Sequence, residues 1–214
     1  MSVRNIFSPV ASRISRALLV NRDKDWSVLA LSTETETGYG HAHRVVNTLI
    51  RMGLCRRTDA NRIRLTNPGG LLTRWANYYD FASFNNIHPY YSLHENLDRL
   101  LRKLTSRRRP ASKHALTLHA AAALLSPHVR PVSVHLYVES EKLAQWQRFL
   151  DLELSEMGGN VFLVEPYDQG VFYGIQHRNG IAIASSIQLY VDLFNYPARG
   201  REAADHLRSE VIEF

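Results

Sequence analysis

Apolar positions recur with a helical period through the first third of the chain. Ile14, Ala17, Leu18 and Val20, after Pro9 and Ser12, predict an amphipathic helix over about 11–20. Asn21 to Asp25 interrupts it. Trp26 is a large apolar anchor, Ser27 a candidate N-cap, and Val28, Leu29 and Leu31 predict a short second helix reaching about Thr35. From Tyr39 to Met52, the positions Ala42, Val45, Val46, Leu49 and Met52 form one buried helical face, and Gly53 supplies the stop. Leu54-Cys55-Arg56-Arg57, the turn Thr58-Asp59-Ala60-Asn61 and Arg62-Ile63-Arg64-Leu65 read as a hairpin with Ile63 and Leu65 inward and Arg62 and Arg64 outward.

The polar face of the third helix carries His41, Arg44, Asn47, Thr48 and Arg51, groups that reach base edges and phosphates, and nothing acidic. Between Gly38 and Leu65 there are six Arg and one acid, Asp59. Three helices and a basic ribbon are the order of a winged helix-turn-helix, with the third helix in the major groove and the wing on the backbone. Arg44 and Arg51 are candidates for groove contacts, Asn47 for adenine, and Arg57, Arg62 and Arg64 for phosphates; Tyr39 completes the set. The tight-turn position that usually holds Gly holds Glu36 here. A winged helix serving only as a protein–protein module is the alternative.

After Asn67-Pro68-Gly69-Gly70, Leu71, Leu72, Trp75, Ala76 and Tyr79 continue as a helical stripe. The aromatics Tyr78, Tyr79, Phe81, Phe84, Tyr90 and Tyr91 suit packing better than base stacking, and Leu93, Leu97, Leu100, Leu101 and Leu104 predict another helix. Further on, a helix is expected over His114–Leu125, a strand with one buried face over Val132–Val138, and a helix over Lys142–Leu154. Strands are expected at Val161–Val164, Val171–Ile175 and Ile181–Ala184, the last two joined by an Arg178-Asn179-Gly180 turn. Helices at Ser186–Phe194 and about Gly200–Val211 close the chain. The expected class is α+β: a winged helix over 1–80, a helical connector and basic loop over 81–113, and a small mixed-sheet domain over 114–214.

Charge sharpens this division. The 214 residues carry a net charge of +6, and their 45% hydrophobic and 21% charged content is that of a globular protein. The surplus is uneven, +6 over 1–80, +5 over 81–113 and −5 over 114–214. Positive charge on the docking elements favours double-stranded DNA as partner. The lone Cys55 excludes an internal disulfide, and the lack of a long apolar run argues against membrane insertion, so a cytoplasmic location is expected. His41 and His43 point about 200° apart on a helix and cannot share a metal. Gly158-Gly159 leads into a strand without the Lys-Ser/Thr of a phosphate loop. Glu139-Ser140-Glu141 at a strand end is the closest approach to a metal-binding carboxylate pair, and reads better as acid at a helix N-terminus. No catalytic residue, metal or cofactor is therefore assigned. A nucleotidyltransferase-like enzyme and a ligand-responsive repressor are the competing readings.

The stretches Asn67-Pro68-Gly69-Gly70-Leu71-Leu72-Thr73-Arg74-Trp75-Ala76, Leu136-Tyr137-Val138, Gly159-Asn160-Val161, Ser185-Ser186-Ile187-Gln188-Leu189-Tyr190-Val191-Asp192-Leu193 and Arg199-Gly200-Arg201-Glu202-Ala203-Ala204 resemble the AbiEi family. These are antitoxins of abortive-infection, type IV toxin–antitoxin systems. The resemblance covers about residues 10–210. It implies a winged helix that represses its own operon by binding repeats at its promoter; an inverted-repeat operator calls for two DNA-binding domains, so a homodimer or tandem binding of monomers is expected. It also implies a C-terminal antitoxin domain similar to a nucleotidyltransferase fold without its catalytic residues, and a separate nucleotidyltransferase-like toxin.

Overall fold

Helix α1 (Pro9–Val20) has proline in its first turn, where no backbone N–H is needed, and buries Ile14, Ala17 and Leu18. In this computed structural model, which describes residues 5–92, 97–128, 130–156 and 158–214, the chain divides into two units, Met1–Tyr79 with Phe214, and Asp80–Glu213. In the first unit, Ser27 Oγ accepts from Ala30 N–H at 3.0 Å and caps α2 (Val28–Glu34). The chain then turns through Glu36 at φ +51°, so a non-glycine residue occupies the left-handed position. Helix α3 (Tyr39–Arg51) fully buries Ala42, Val45, Val46 and Leu49. At about 1.5–3 kcal/mol for each of the larger side chains, that face orients the helix. Strands β1 (Cys55–Arg57) and β2 (Ile63–Leu65) pair antiparallel, and Trp26 exchanges two backbone hydrogen bonds with Ile63. Asn67 caps α4 (Pro68–Tyr78), whose Trp75 stacks on Phe7 and lies 4.9 Å beneath the buried Arg16 guanidinium.

The second unit is a mixed sheet with helices. After α5 (Phe81–Phe84) come β3 (Asn86–Ser92), α6 (Leu97–Lys103), β4 (His114–Thr117), α7 (Leu118–Leu125), β5 (Val134–Val138) and α8 (Leu143–Leu150). They are followed by β6 (Leu152–Leu154), β7 (Val161–Glu165), β8 (Gln176–Arg178), β9 (Ile181–Ile183), α9 (Ser186–Phe194) and α10 (Gly200–Leu207). The seven strands run in the order β6-β3-β7-β5-β4-β9-β8, with β5·β7 and β4·β9 parallel and the other pairs antiparallel. The class is α+β.

Several expected elements are corrected. Residues 86–92 are not helical connector but strand β3, held between β6 and β7; Pro89 inside the run masks it, yet faces Phe162 in register. Only Leu97–Lys103 of the next expected helix is helical, and Leu93 lies outside the described residues. His114–Leu125 is a strand and a helix joined at Leu118, φ +53°. Strand β4 runs between β5 and β9 with all four residues buried, so it shows no alternation. The same holds for β5, which is buried on both faces. The Lys142–Leu154 helix stops at Leu150, because Asp151 turns left-handed and Leu152–Leu154 pairs with β3. The expected strand over Val171–Ile175 is a 3-10 turn, Gln169–Phe172, with Asp168 Oδ1 accepting from Gly170 N–H. The basic tract 105–113 is an α6–β4 link inside the second unit, held by Trp146 Nε1–H to Ser112 Oγ and Lys113 N–H to Glu139 Oε2.

Buried polar groups fasten this unit. Asp192 accepts from Thr117 Oγ1 (2.5 Å), Gln188 Nε2 (2.7 Å) and the Tyr137 hydroxyl (3.0 Å), all four residues being buried. A Cβ on Gly159 would meet Tyr90 O at 2.3 Å, so only glycine fits there, and Asn160 pairs both ways with the Ser92 backbone like an extra strand residue.

His135 on β5 stacks on Phe162 at 4.4 Å and lies 3.1 Å from the Tyr196 hydroxyl. Burial, and secondarily the nearby His119, lowers its pKa to about 3. The unfolded chain binds this proton near pH 6.5 and the folded chain only near 3. Its contribution to stability is therefore complete above about pH 6.5 and is lost as pH falls through that window, by about 1.4 kcal/mol per pH unit. Urea unfolding from pH 7 to 4 should show this slope reduced by one proton in His135→Phe. An unchanged slope contradicts the assignment.

Candidate nucleic-acid interface

Burial of the apolar side of α3 turns the rest of the helix outward. At about 100° per residue, His43, Asn47, Arg51, Arg44 and Thr48 follow one another across the exposed half. Tyr39 stands 55% exposed at its start, on the His43 side, and its ring stacks on His43 at 6.2 Å. His41 borders the opposite edge half-buried; burial, and then Arg44, lower its pKa, so its ring is neutral at neutral pH. Thr48 Oγ1 donates to Arg44 O and accepts from Arg51 Nη2, both at 3.0 Å, which fixes part of this face.

The ribbon distributes its arginines over two faces. Arg56 stands opposite Arg64 on the outer face, while Arg57 pairs with Ile63 and so projects on the α3 side. There its guanidinium donates to Asn61 Oδ1 (2.9 Å) and to Asn47 Oδ1 (3.3 Å), and Asn47 Nδ2 lies 3.3 Å from the His43 ring nitrogens. Tyr39, His43, Asn47, Arg57 and Asn61 thus form one polar string from helix to ribbon. Its Tyr39, His43, Arg57 and Asn61 line a cleft of about 450 Å³ whose other wall is Ser27, Val28 and the exposed Leu29.

On the outer face, Arg64 Nε and Nη2 donate to the two Asp25 carboxylate oxygens, each at 2.5 Å. That hydrogen bonding, with the nearby Arg56 and Arg62 charges, holds the Asp25 carboxyl below the usual carboxylate range. Arg64 is thereby neutralised. Among the described residues, the exposed Arg44, Arg56 and Arg62 side chains have no hydrogen-bond or ion-pair partner.

All nine sequence-derived candidates lie on α3 or the ribbon, but they differ in state. Arg44 and Arg62 project free, Asn47 and Arg57 are joined, and Arg64 is engaged. Arg56, His43, Asn61 and Asp25 were not among the candidates. Hairpin register, setting position 56 opposite 64, is the signal that could have found Arg56; the Asp25 contact spans 39 residues and leaves no local trace. Cys55 is buried, and burial pushes its thiol up to about 12, so the reactive thiolate is disfavoured at neutral pH.

Charge follows the units. The first carries twelve Lys and Arg against five Asp and Glu, a net +7, and the second fourteen against fifteen, a net −1. The whole surplus lies in the unit that holds α3 and the ribbon.

The Asp25–Arg64 pair predicts a titration. Asp25 should ionise below the ordinary carboxylate range by carbonyl-carbon NMR and return toward that range in Arg64→Met. Being a depressed carboxylate, it stabilises the fold at neutral pH and ceases to as pH falls through its folded value. Equal titration in both proteins means that the pair does not form in solution.

Comparison with known proteins gives one family and no individual relative. No curated protein and no solved structure matches the chain. The family model described as "Transcriptional regulator, AbiEi antitoxin, Type IV TA system" matches residues 64–213. This segment contains the seven-stranded sheet, the Gly159-Asn160 contact and the Asp192 cluster, of which Gly159, Asn160, Tyr137, Gln188 and Asp192 lie in the stretches that carry the sequence resemblance. With most of its length matched, the chain belongs to the AbiEi family of transcriptional regulators, antitoxins of type IV toxin–antitoxin systems.

Proposed function

We propose that the chain is a sequence-specific double-stranded DNA-binding regulator that represses its own operon through a winged helix-turn-helix, with a non-catalytic second unit acting as the antitoxin. The observation that carries this reading is convergence. The exposed face of α3 and the arginines of the ribbon lie in one unit, which bears a net +7, and no acidic side chain lies on that helix. In the proposed complex, α3 enters the major groove with Arg44 and Arg51 on base edges, and the ribbon is the wing, with Arg62 and Arg56 on phosphates. Family membership in a class of transcriptional regulators supports it.

A non-catalytic second unit is supported by where its acidic side chains are used. Asp192 is held by three donors in the core. Glu165 is engaged by Ser140, His88 and Asn86, and Glu139 by the Lys113 backbone. In this proposal the unit resembles a nucleotidyltransferase fold in outline only, and the toxin is a separate, nucleotidyltransferase-like protein. Inverted repeats would take two copies of the first unit, as a homodimer or as tandem monomers. The cytoplasm is the proposed location; among the described residues no helix is long and apolar enough to cross a membrane.

A footprint on the chain's own promoter tests the regulator. Protected repeats are expected at moderate salt, with log affinity falling linearly with log salt. Arg62→Ala should lower that slope by about 0.9 and weaken all sequences alike. Arg64→Ala should change it little, since Asp25 already compensates that charge, whereas Asp25→Asn should steepen it. Absence of any protected repeat overturns the proposal.

A further inference from the structure

Arg57 has the charge and exposure of a phosphate contact, but its direction is different. Register turns it to the α3 side of the ribbon, where one guanidinium joins Asn61 of the hairpin turn to Asn47 of the helix. This determines the chemistry of Asn47. A guanidinium only donates, so the Asn47 atom facing it must be the carbonyl oxygen, and the amide nitrogen is directed toward His43. His43 is in turn stacked on Tyr39. A free carboxamide on an exposed helix rotates among several orientations. This one is held from both sides, from the ribbon by Arg57 and from the preceding helical turn by His43.

A fixed carboxamide is what reading adenine requires, because Asn must present an acceptor to N6–H and a donor to N7 with the correct hand. The oxygen has a second lone pair and the nitrogen a second hydrogen for that purpose. We propose that Arg57 is a positioning residue: by fixing the Asn47 carboxamide from the ribbon, it sets the preference for adenine at the base pair that Asn47 meets. This inference rests on the DNA-binding reading above, and it withdraws Arg57 from the phosphate contacts that its charge alone suggests. It also gives the ribbon two separate tasks, with Arg56 and Arg62 on the outer face for the backbone and Arg57 on the inner face for specificity.

The test uses the full chain and a DNA duplex selected by wild type from a random-sequence pool, together with single-base variants of that duplex. Asn47→Ala should lose about tenfold discrimination at one base pair. Arg57→Lys and Arg57→Met should lose the same discrimination at the same base pair. Arg57→Lys should keep the wild-type salt slope, since its charge is unchanged. Retained preference in Arg57→Lys, or uniform weakening of all duplexes by Arg57→Met with a slope lower by about 0.9, overturns the proposal in favour of a plain phosphate contact. A second readout needs no DNA. The Asn47 side-chain amide should be rotationally restrained by NMR in wild type and mobile in both Arg57 variants; equal mobility overturns the inference by itself. Wild type that selects no duplex instead defeats the DNA-binding reading, a result distinct from any Arg57 outcome.

Discussion

Trp26 N–H donates to Ile63 C=O at 2.9 Å and Ile63 N–H donates back to Trp26 C=O at 2.7 Å. Through this exchange the residue preceding the α2 cap becomes a third strand position for the ribbon. The hairpin is otherwise three residues on each side, and an isolated two-stranded ribbon of that length is marginal in water. Anchored at Trp26 and by the buried Ile63 and Leu65, it holds Arg57 toward α3 and Arg56, Arg62 and Arg64 toward the outside. The proximity of Asp25 to Arg64 follows from the same bridge, because residue 25 must come up to the ribbon when residue 26 pairs with it.

Where one face of an element is buried and the other wet, it was legible in sequence. The α3 stripe of Ala42, Val45, Val46 and Leu49 and the Ile63/Leu65 alternation are of this kind, and both elements occur with nearly the expected bounds. Elements buried on both faces were not. In β4 and β5 every residue is interior, so period carries no information, and the Ala- and Leu-rich run after Thr117 extends a helical reading back over a strand. The three-residue β6 exists because β3 is there to pair with it, which no local pattern reveals. At the candidate interface, residue types and their helix face were readable, but pairing was not. Arg64 and Arg62 are equivalent in the sequence and differ in the fold only because Asp25 meets one of them.

The family match and the candidate interface fall on different parts of the chain. The matched segment begins at Arg64, so α3 and most of the ribbon precede it. Within it, the Ser185–Leu193 stretch resolves into a helix whose Ser185 caps Gln188 and whose Gln188 and Asp192 build the buried cluster with Thr117 and Tyr137. These contacts tie α9 to β4 and β5, since removing one of the donors to Asp192 leaves its buried carboxylate short of a partner. Family membership therefore rests on a segment that spans the second unit. The DNA-binding proposal rests separately on the charge and geometry of the first unit.

Hydrogen–deuterium exchange of the full chain, with and without a duplex carrying its own promoter, tests that separation most directly. The account predicts new protection confined to Tyr39–Arg51 and to the ribbon from Cys55 to Leu65, with the Asp80–Glu213 sheet unchanged. Protection centred on that sheet, with α3 and the ribbon unaffected, would contradict it.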